Sequence, residues 1–442
     1  MTRTKARDSE FRVFESGIVI VALVFVVWAG YDIPLGDQAF SRLATVYSLT
    51  KHGTFYIDRP LDEPPNPFEQ RTIDKVMVRG ERFGTGVDGG RLVSSKPPVI
   101  PLLMTAEYLV MHRLFGWDLD NEDDVEPISR VMLMTLVGGA LVTTLIFFVK
   151  TLRLMQLDGL TRSVLLISLA FGTQLWGYGL LFNAHVPGAC MIVIALYFAL
   201  GLGSGALPPR AWRFAAFGLA AGLTLTIDIP GGIFPAFAGF YLLYKFPRHT
   251  LTWGLLGAAL PLAVHASTMM AVTGSPFPVQ MHRESYLYPV AYWRHPLGID
   301  ALSEPKGTYL FHMTFGRCGI FVLYPILLAG LAGAARALVR KDTPYRGAIL
   351  AGLAGFLILT TYYVFRTDNY GGESYGFRWY ICAMPVLLLM AAPVIANLRS
   401  RWHWLFVGFM MGVSFYSAWE CTNTGWRSSQ EWTCRILGPS SR

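Results

Sequence analysis

Long uncharged, apolar stretches alternate along the chain with short charged segments. Because a membrane helix needs roughly 20 apolar residues to cross the hydrocarbon layer, each such stretch predicts one crossing. Six stretches have about this length: 16 to 31, 131 to 149, 318 to 335, 347 to 365, 379 to 398 and 402 to 419. A seventh, 249 to 282, predicts a crossing that ends in Thr273, Gly274, Ser275 and Pro276. The chain is therefore expected to be an all-α polytopic membrane protein.

Two further apolar stretches are too irregular for one straight helix. Residues 163 to 209 carry no charge over 47 positions and predict two helices joined by a polar turn. The interrupting residues are Asn183, His185, Pro187 and Gly188. Residues 214 to 244 predict two short or re-entrant helices with irregular backbone buried in protein. Their interruption consists of Asp228, Pro230, Gly231 and Gly232. The total is about 11 transmembrane helices, or nine if the second pair does not cross.

The distribution of charge predicts the orientation of the chain. The amino end is basic and lacks a cleavable signal pattern, so we place it in the cytoplasm. Crossings that alternate from there place six segments in the cytoplasm: 1 to 15, 150 to 162, 205 to 213, 245 to 250, 336 to 346 and 399 to 401. These segments hold 17 Lys and Arg against 5 Asp and Glu, whereas the rest of the chain holds 20 and 24. By the positive-inside rule, the amino end is cytoplasmic and the carboxyl end extracytoplasmic. The expected location is the inner, or plasma, membrane.

Composition supports this class and excludes two others. Hydrophobic residues make up 53% of the chain and charged residues 15%, whereas soluble domains have about 25% charged residues. A soluble multidomain enzyme is therefore excluded. The net charge of +8 divides into +12 on the predicted cytoplasmic segments and −4 elsewhere. The basic balance is thus an orientation signal and does not indicate nucleic-acid binding.

The unusual polar residues fall in the predicted extracytoplasmic segments. These segments are 32 to 130, 181 to 187, 273 to 317, 366 to 378 and the tail 420 to 442. The first is predicted to hold a helix near 38 to 51, a turn-rich stretch at 58 to 67 and an amphipathic interfacial helix at 98 to 115. Long loops between spans carry function more often than short connectors. We therefore expect the active site on this side of a single membrane domain, 1 to 442.

Two charged residues of the first extracytoplasmic loop are candidates for chemistry. Asp37 precedes the predicted helix, where Asp is a preferred N-cap. The same carboxylate is also placed to serve as a general base or a metal ligand. Lys96 is followed by Pro97 and Pro98, which restrict the direction of the chain. A lysine that snorkels to the lipid headgroups is the alternative interpretation.

The interrupted stretches add three polar candidates near the membrane. Asn183 and His185 lie at the predicted outer turn, where polar groups usually face a cavity or another helix. Asp228 lies near the outer end of a span. An intramembrane acid indicates a functional site, and pairing with a structural Arg is the competing interpretation.

Two later segments contain further candidates. Arg317 stands where the chain re-enters the membrane, and Arg suits bidentate phosphate binding. An Arg that anchors lipid headgroups is equally compatible with this position. The segment 369 to 378 surrounds Tyr370, Glu373 and Arg378 with three glycines, which predicts backbone that approaches a ligand closely.

The motifs of several soluble enzyme classes are absent from the sequence. There is no Walker A, GxSxG or HExxH motif, and GTGVDGG at 84 to 90 is interpreted as a flexible turn. The five cysteines follow no metal-binding spacing. Cys421 and Cys434 both lie on the predicted extracytoplasmic, oxidising side of the membrane. The sequence is compatible with a disulfide between them and with two free thiols. The use of a divalent metal is also left open.

Taken together, these features resemble the integral-membrane glycosyltransferases of the GT-C superfamily, in the branch of protein O-mannosyltransferases and lipid A aminoarabinose transferases. The resemblance covers nearly the whole chain as architecture, and its motifs are short. Asp37 occupies the place of the family's acidic residue after the first span, although the second acid of many members is Gln38 here. The Lys96-Pro97-Pro98 sequence resembles the family's lysine-proline element.

Other segments extend the resemblance. The stretches FGTQLWGY, FNAHVP and YGGESYGFRWYICAMPVLLL resemble bacterial relatives. GLAAGLTLTIDIPGG is similar to the family's glycine-rich broken span, with Asp228 where a basic or polar residue is common.

The resemblance implies transfer of a monosaccharide from a polyprenyl-phosphate carrier to a lipid, glycan or protein acceptor on the extracytoplasmic face, with inversion. Asp37 is the expected general base. Lys96, Arg317 and Arg378 are expected to bind the donor phosphate, assisted by His185. The expected substrate-binding residues are His185, Asn183, Asp228, Tyr370 and Glu373. The sequence specifies neither the sugar nor the acceptor.

Two other functions fit the same topology. A flippase or transporter of lipid-linked sugars would also use an intramembrane acid and broken helices. The one-sided distribution of candidate residues and the lack of a detectable internal repeat argue against it. A polymerase or ligase of surface polysaccharide shares the donor type and stays a further alternative.

Overall fold

The computed structural model describes residues 3–30, 35–59, 64–79 and 90–426. In these residues the chain is predominantly helical. The helices are α1 (Arg3–Ala29), α2 (Asp37–His52), α3 (Val99–Phe115), α4 (Glu122–Met132), α5 (Gly139–Leu154), α6 (Gly159–Phe171), α7 (Gln174–Tyr178), α8 (His185–Ser204), α9 (Ala211–Ile227), α10 (Ile233–Lys245), α11 (Pro247–His249), α12 (Leu255–Thr273), α13 (Lys306–Thr314), α14 (Ile320–Leu323), α15 (Leu328–Val339), α16 (Arg346–Arg366), α17 (Met384–Ile395) and α18 (Arg401–Thr424). Short 3-10 and π segments join several of them.

Six continuous helical segments are long and apolar enough to cross a membrane. They are Asp8–Ala29, Glu122–Leu154, His185–Ser204, Pro247–Thr273, Arg346–Arg366 and Arg378–Ile395. Shorter apolar helices cover Gly159–Phe171, Ala211–Ile227 and Pro325–Val339. The prediction of a mostly helical membrane protein is confirmed. The count of nine to 11 crossings and the orientation stay predictions.

The second interrupted stretch contains two helices, α9 and α10, as predicted, and the first contains α6 and α8 with the short α7 between them. The first break, residues 172–184, lies earlier than expected, because His185 begins α8 and Pro187 and Gly188 occupy its first turn. The second break is the 3-10 segment Ile229–Gly232 between α9 and α10. The second break occurs where Pro and Gly interrupt an apolar run, whereas the first contains glycines and no proline.

The apolar surface of the helices is distributed unevenly. The helix α17 is the most enclosed, whereas α1 and α12 leave most of their apolar side chains exposed. Exposed side chains such as Val24, Trp28 and Leu256 belong to these outer helices. Exposed apolar helix surface of this extent suits contact with lipid.

The first predicted loop contains both expected helices, with α2 at Asp37–His52 and α3 at Val99–Phe115. It also contains a hairpin that the all-α prediction lacked. Strands β1 (Lys75–Arg79) and β2 (Gly90–Ser94) pair antiparallel, with Lys75 opposite Ser94. The apolar run of Val76, Met77 and Val78 in β1 is too short to distinguish a strand from a loop by periodicity alone.

Candidate functional site

A cavity of about 930 Å³ lies between the start of α2, the open end of the hairpin, α8, the end of α9 and the segments 280–300 and 369–379. We call it the polar cavity. Its charged lining residues include Asp37, Arg42, Asp74, Lys96, His185, Asp228, Asp300, Glu373 and Arg378. Six of these are among the nine predicted site residues, although they come from distant parts of the chain.

Asp37 is the first residue of α2, and Gly36 occupies the N-cap position. The carboxylate Oδ1 accepts a hydrogen bond from the backbone N–H of Ile73 at 2.9 Å. The Thr72 hydroxyl donates to the Asp37 carbonyl, also at 2.9 Å. The residue is exposed to the cavity. The segment before β1 thus fixes the position of a carboxylate that remains accessible to a ligand.

Lys96 and Asp74 form an ion pair in the wall of the cavity. Lys96 Nζ lies 2.8 Å from Asp74 Oδ2, and the two side chains are 17% and 16% exposed. The hairpin brings them together, because Ser95 N donates to Asp74 O at 3.0 Å. Burial lowers the pKa of Lys96. The charges of the neighbouring Arg42 and Arg378 also lower it, whereas the carboxylate of Asp74 raises it. The ammonium group is therefore held in a poorly solvated, cation-rich site.

Arg42 is a third element of this wall that the sequence did not indicate. It extends from α2, is only 1% exposed, and donates from Nη1 to Gln38 O at 2.8 Å. Its buried Nε has no hydrogen-bond partner among the residues described. Burial lowers the pKa of Arg42 to about 10, with Asp74 opposing and Arg378 reinforcing the shift. An unsatisfied buried N–H of a cation favours an anionic ligand.

Arg378 completes the group of cations. Its guanidinium lies 5.2 Å from the centre of the Trp426 ring. With the Gln38 amide oriented to satisfy both side chains, the amide oxygen accepts from Arg378 Nη2 at 3.1 Å. A Cβ at Gly371 would come within 3.0 Å of Arg378 Nε, and Gly371 has φ +92°. The glycine-rich segment therefore brings backbone against the arginine, as its composition suggested.

His185 and Asp228 form a second pair on the cavity wall. His185 Nδ1 lies 3.0 Å from Asp228 Oδ2, and the side chains are 12% and 4% exposed. A Cβ at Gly188 would lie 2.7 Å from Asp228 Cβ, so glycine permits this close approach of α8 and α9. The observed partner of Asp228 is thus His185, whereas the competing interpretation of its sequence expected an Arg.

Carboxylates line another part of the cavity. Asp300 accepts hydrogen bonds from Asn369 Nδ2 at 2.7 Å and from the Tyr292 hydroxyl at 3.2 Å. Burial raises the pKa of Asp300, which these two hydrogen bonds oppose. Glu373 lines the cavity with an exposed side chain. Sequence reasoning missed Asp300 because nothing local distinguishes it from other acids of the loop.

Asn183 has a structural position and does not line the polar cavity. Its Nδ2 donates to the carbonyls of Tyr178 and Leu181 at 2.7 and 2.6 Å. Its Oδ1 accepts from Val186 N at 2.8 Å. These bonds satisfy backbone groups around the start of α8. The predicted role of Asn183 in substrate binding gains no support from this arrangement.

Arg317 and Tyr370 also lie outside the cavity lining. Arg317 forms an ion pair with Glu304, whose other carboxylate oxygen accepts from the Tyr370 hydroxyl. The guanidinium of Arg317 lies 5.2 Å from the centre of the Tyr370 ring. The two predicted ligands are thus joined to each other through one carboxylate. Arg317 thus does not line the polar cavity with Lys96 and Arg378, and its role in binding the donor phosphate stays a prediction.

The residues that the structure describes contain no group of three or more His, Cys, Asp or Glu side chains that would hold a metal ion. We therefore assign no metal ligands. Cys421 is fully buried. Its predicted partner Cys434 and most of the 84 to 90 turn lie outside the described residues, so the disulfide stays a prediction.

No family model matches the chain, and no curated protein matches it. Among solved structures it is similar to the apo oligosaccharyltransferase of Archaeoglobus fulgidus, with a TM-score of 0.54 and 13% identity over 95% of this chain and 57% of that one. The same enzyme in complex with Zn and sulfate gives a TM-score of 0.53 and 13% identity, over 93% and 53%.

Apo ArnT from Cupriavidus metallidurans has a TM-score of 0.49 and 16% identity, over 90% of this chain and 62% of that one. The chain thus spans between half and two thirds of the length of these proteins. The similarity to the oligosaccharyltransferase confirms the predicted resemblance for the architecture. The chain therefore shares the fold of this oligosaccharyltransferase, in line with the predicted GT-C resemblance.

Proposed function

We propose that the protein is a membrane glycosyltransferase that moves a monosaccharide from a polyprenyl-phosphate donor to an acceptor in the polar cavity. The observation that carries this proposal is that the accessible carboxylate of Asp37 shares one cavity with three clustered cations, Arg42, Lys96 and Arg378. One group is suited to take a proton and the others to bind a phosphate.

The reaction is a single displacement at the anomeric carbon. An acceptor hydroxyl attacks this carbon and transfers its proton to the Asp37 carboxylate, while the bond from the anomeric carbon to the phosphate oxygen breaks. The phosphate leaves with the electron pair of that bond and remains on the polyprenyl carrier. One displacement inverts the configuration of the sugar.

The cations stabilise the negative charge that develops on the leaving phosphate. Arg42, Lys96 and Arg378 are held by the surrounding protein before the donor binds, so little reorganisation is needed during the reaction. Because they are poorly solvated, their attraction for an anion is screened less than it would be in water. Asp74 neutralises part of this charge and leaves a net positive wall.

Other cavity residues are proposed to bind the sugar and the acceptor. The His185 and Asp228 pair, Asp300 and Glu373 supply hydrogen-bonding groups of the kind that sugar hydroxyls need. The apolar helices explain how such an enzyme meets its donor, because the carrier is itself a component of the bilayer. We place the reaction on the extracytoplasmic face, following the predicted orientation.

The proposal is tested with proteoliposomes that contain the purified protein, radiolabelled polyprenyl-phosphate sugars and candidate acceptors. We expect transfer of label to an acceptor, and a loss of about 10²- to 10⁴-fold in Asp37→Asn, the usual contribution of a general base. Asp342→Asn is the matched control, since Asp342 is exposed and lies outside the cavity lining.

Three outcomes contradict the proposal. Full activity in Asp37→Asn would remove Asp37 as the base. Label that crosses the bilayer still attached to its carrier, without reaching any acceptor, would instead support the flippase alternative. Growth of label into a long polysaccharide would assign the activity to a polymerase.

A further inference from the structure

A second cavity, of about 430 Å³, lies between α8, α10, α16 and α17. We call it the apolar cavity and define it by Leu196, Phe234, Tyr241, Ala351 and Met390. Its volume is within the range of roughly 300 to 1,000 Å³ that is typical of small-molecule sites. It shares no lining residue with the polar cavity and has no part in the proposed reaction.

The walls of the apolar cavity are almost entirely hydrocarbon. Its hydroxyl-bearing side chains are Ser204, Tyr241 and Tyr345. Ser204 ends α8 and Tyr345 immediately precedes α16, so both lie at the same end of the cavity. Phe234, in the first turn of α10, lies toward the other end. This arrangement suits an amphiphile whose hydrocarbon chain lies in the cavity and whose polar end lies beside the hydroxyl groups.

Small residues on α16 leave the space open. A Cβ at Gly347 would meet no atom within 4 Å, although Gly347 lines the cavity. A Cβ at Gly352 would lie 3.0 Å from both Met390 Sδ and Val386 Cγ1, so α16 cannot move much closer to α17. The spacing of α16 and α17 is therefore limited by this contact. A hydrocarbon chain in the cavity would make dispersion contacts with its apolar walls.

Two basic residues, Lys245 and Arg346, lie near the hydroxyl end of the cavity. The segments 245 to 250 and 336 to 346 contain one acid, Asp342, and six cations, Lys245, Arg248, Arg336, Arg340, Lys341 and Arg346. Lys245 Nζ lies 5.4 Å from the centre of the Tyr241 ring, and Arg346 adjoins the lining residue Gly347. Basic pockets between membrane helices suit anionic lipid headgroups.

We propose that the apolar cavity binds one hydrocarbon chain of an anionic phospholipid, with its headgroup beside Lys245 and Arg346. This lipid belongs to the leaflet on the side of these two cations. The helices α10 and α16 continue from the apolar cavity toward Pro230 and Tyr362, which line the polar cavity. The bound lipid therefore supports two helices that also adjoin the candidate active site.

Native mass spectrometry of the full chain, released from membranes in a mild detergent, tests the proposal. We expect one anionic phospholipid on the wild type and at least tenfold lower occupancy in Ala351→Phe, which fills the cavity. Gly412→Phe is the matched control, because a Cβ at Gly412 on α18 meets no atom within 4 Å. This control should retain the lipid.

Unchanged occupancy in Ala351→Phe would overturn the proposal, as would retention of a zwitterionic lipid or polyprenyl phosphate in place of an anionic phospholipid. A second measurement avoids the variant. Delipidated wild type is titrated with phosphatidylglycerol or phosphatidylcholine while its thermal unfolding is recorded. We expect a saturable rise in Tm with the anionic lipid only, and equal rises with both would refute the site.

Discussion

Lys96 Nζ lies 2.8 Å from Asp74 Oδ2, and Arg42 and Arg378 are close enough to this pair to affect the pKa of Lys96. Three cations thus share Asp74 as a neighbouring carboxylate in a wall with little access to water, and Asp300 also acts on Arg378. In the absence of a phosphate this arrangement is electrostatically unfavourable. The wall is therefore expected to gain stability when an anionic ligand binds.

Asp74→Asn is expected to reveal this dependence. An amide cannot neutralise the cations, so the free energy of unfolding should fall by about 1 to 3 kcal/mol, less than for a fully buried pair. Polyprenyl phosphate should restore more Tm in the variant than in the wild type. Asp368→Asn is the control, because its pair with Lys306 is exposed. Equal destabilisation of both variants, without a larger ligand effect, would contradict the prediction.

Lys96→Arg is expected to change the pH dependence of transfer. Burial lowers the pKa of Lys96, so its ammonium loses the proton at a lower pH than an exposed lysine, and phosphate binding weakens as pH rises through that value. A guanidinium remains charged there. The variant should be slower at neutral pH and should retain its activity to a higher pH. Initial rates between pH 6 and 10 measure this, and identical alkaline limbs would count against it.

Arg317→Gln is expected to affect stability more than catalysis. The change leaves Glu304 with the Tyr370 hydroxyl and without its ion pair, so Tm should fall. The KM for the donor should change less than about threefold, because Arg317 does not line the polar cavity. In contrast, Arg378→Gln should lower kcat/KM by about 10² to 10³, as expected for a group that stabilises developing negative charge. The reverse order of effects would return Arg317 to the phosphate site.

Gly188→Ala tests the approach of α8 to Asp228. Alanine is favoured over glycine in a helix by about 1 kcal/mol, but here its Cβ would lie 2.7 Å from Asp228 Cβ. Overpacking should lower the free energy of unfolding by about 1 to 3 kcal/mol and reduce transfer by displacing the His185 pair. Gly412→Ala, with no atom within 4 Å of the new Cβ, should be neutral or slightly stabilising. Thermal unfolding of both variants tests this, and equal Tm values for Gly188→Ala and Gly412→Ala would contradict the prediction.

The helices could be predicted closely because their signals are local. The amphipathic run at 98 to 115 corresponds to α3 at Val99–Phe115, and the break after Ile227 follows from Pro230 and two glycines. The hairpin was missed because each strand has only five residues. A pattern this short does not distinguish a strand from an irregular loop.

The site was predictable only in part, since its geometry depends on contacts between distant residues. Asp37, Lys96 and Arg378 could be identified from their positions near predicted spans. Arg42 and Asp74 could not, because only the folded chain brings them beside Lys96. The role of Asn183 stays a prediction, since a polar residue near the membrane also arises from the need to satisfy the backbone at a helix start.

The pairing of β1 with β2 also sets the distance between two charged residues of the site. Lys75 is opposite Ser94, so Asp74 and Lys96 are held at the end of the same ladder. Their spacing is therefore set by strand register and not by the tilt or depth of any helix in the bilayer. The bundle can therefore adapt to membranes of different thickness while Asp74 and Lys96 keep their separation.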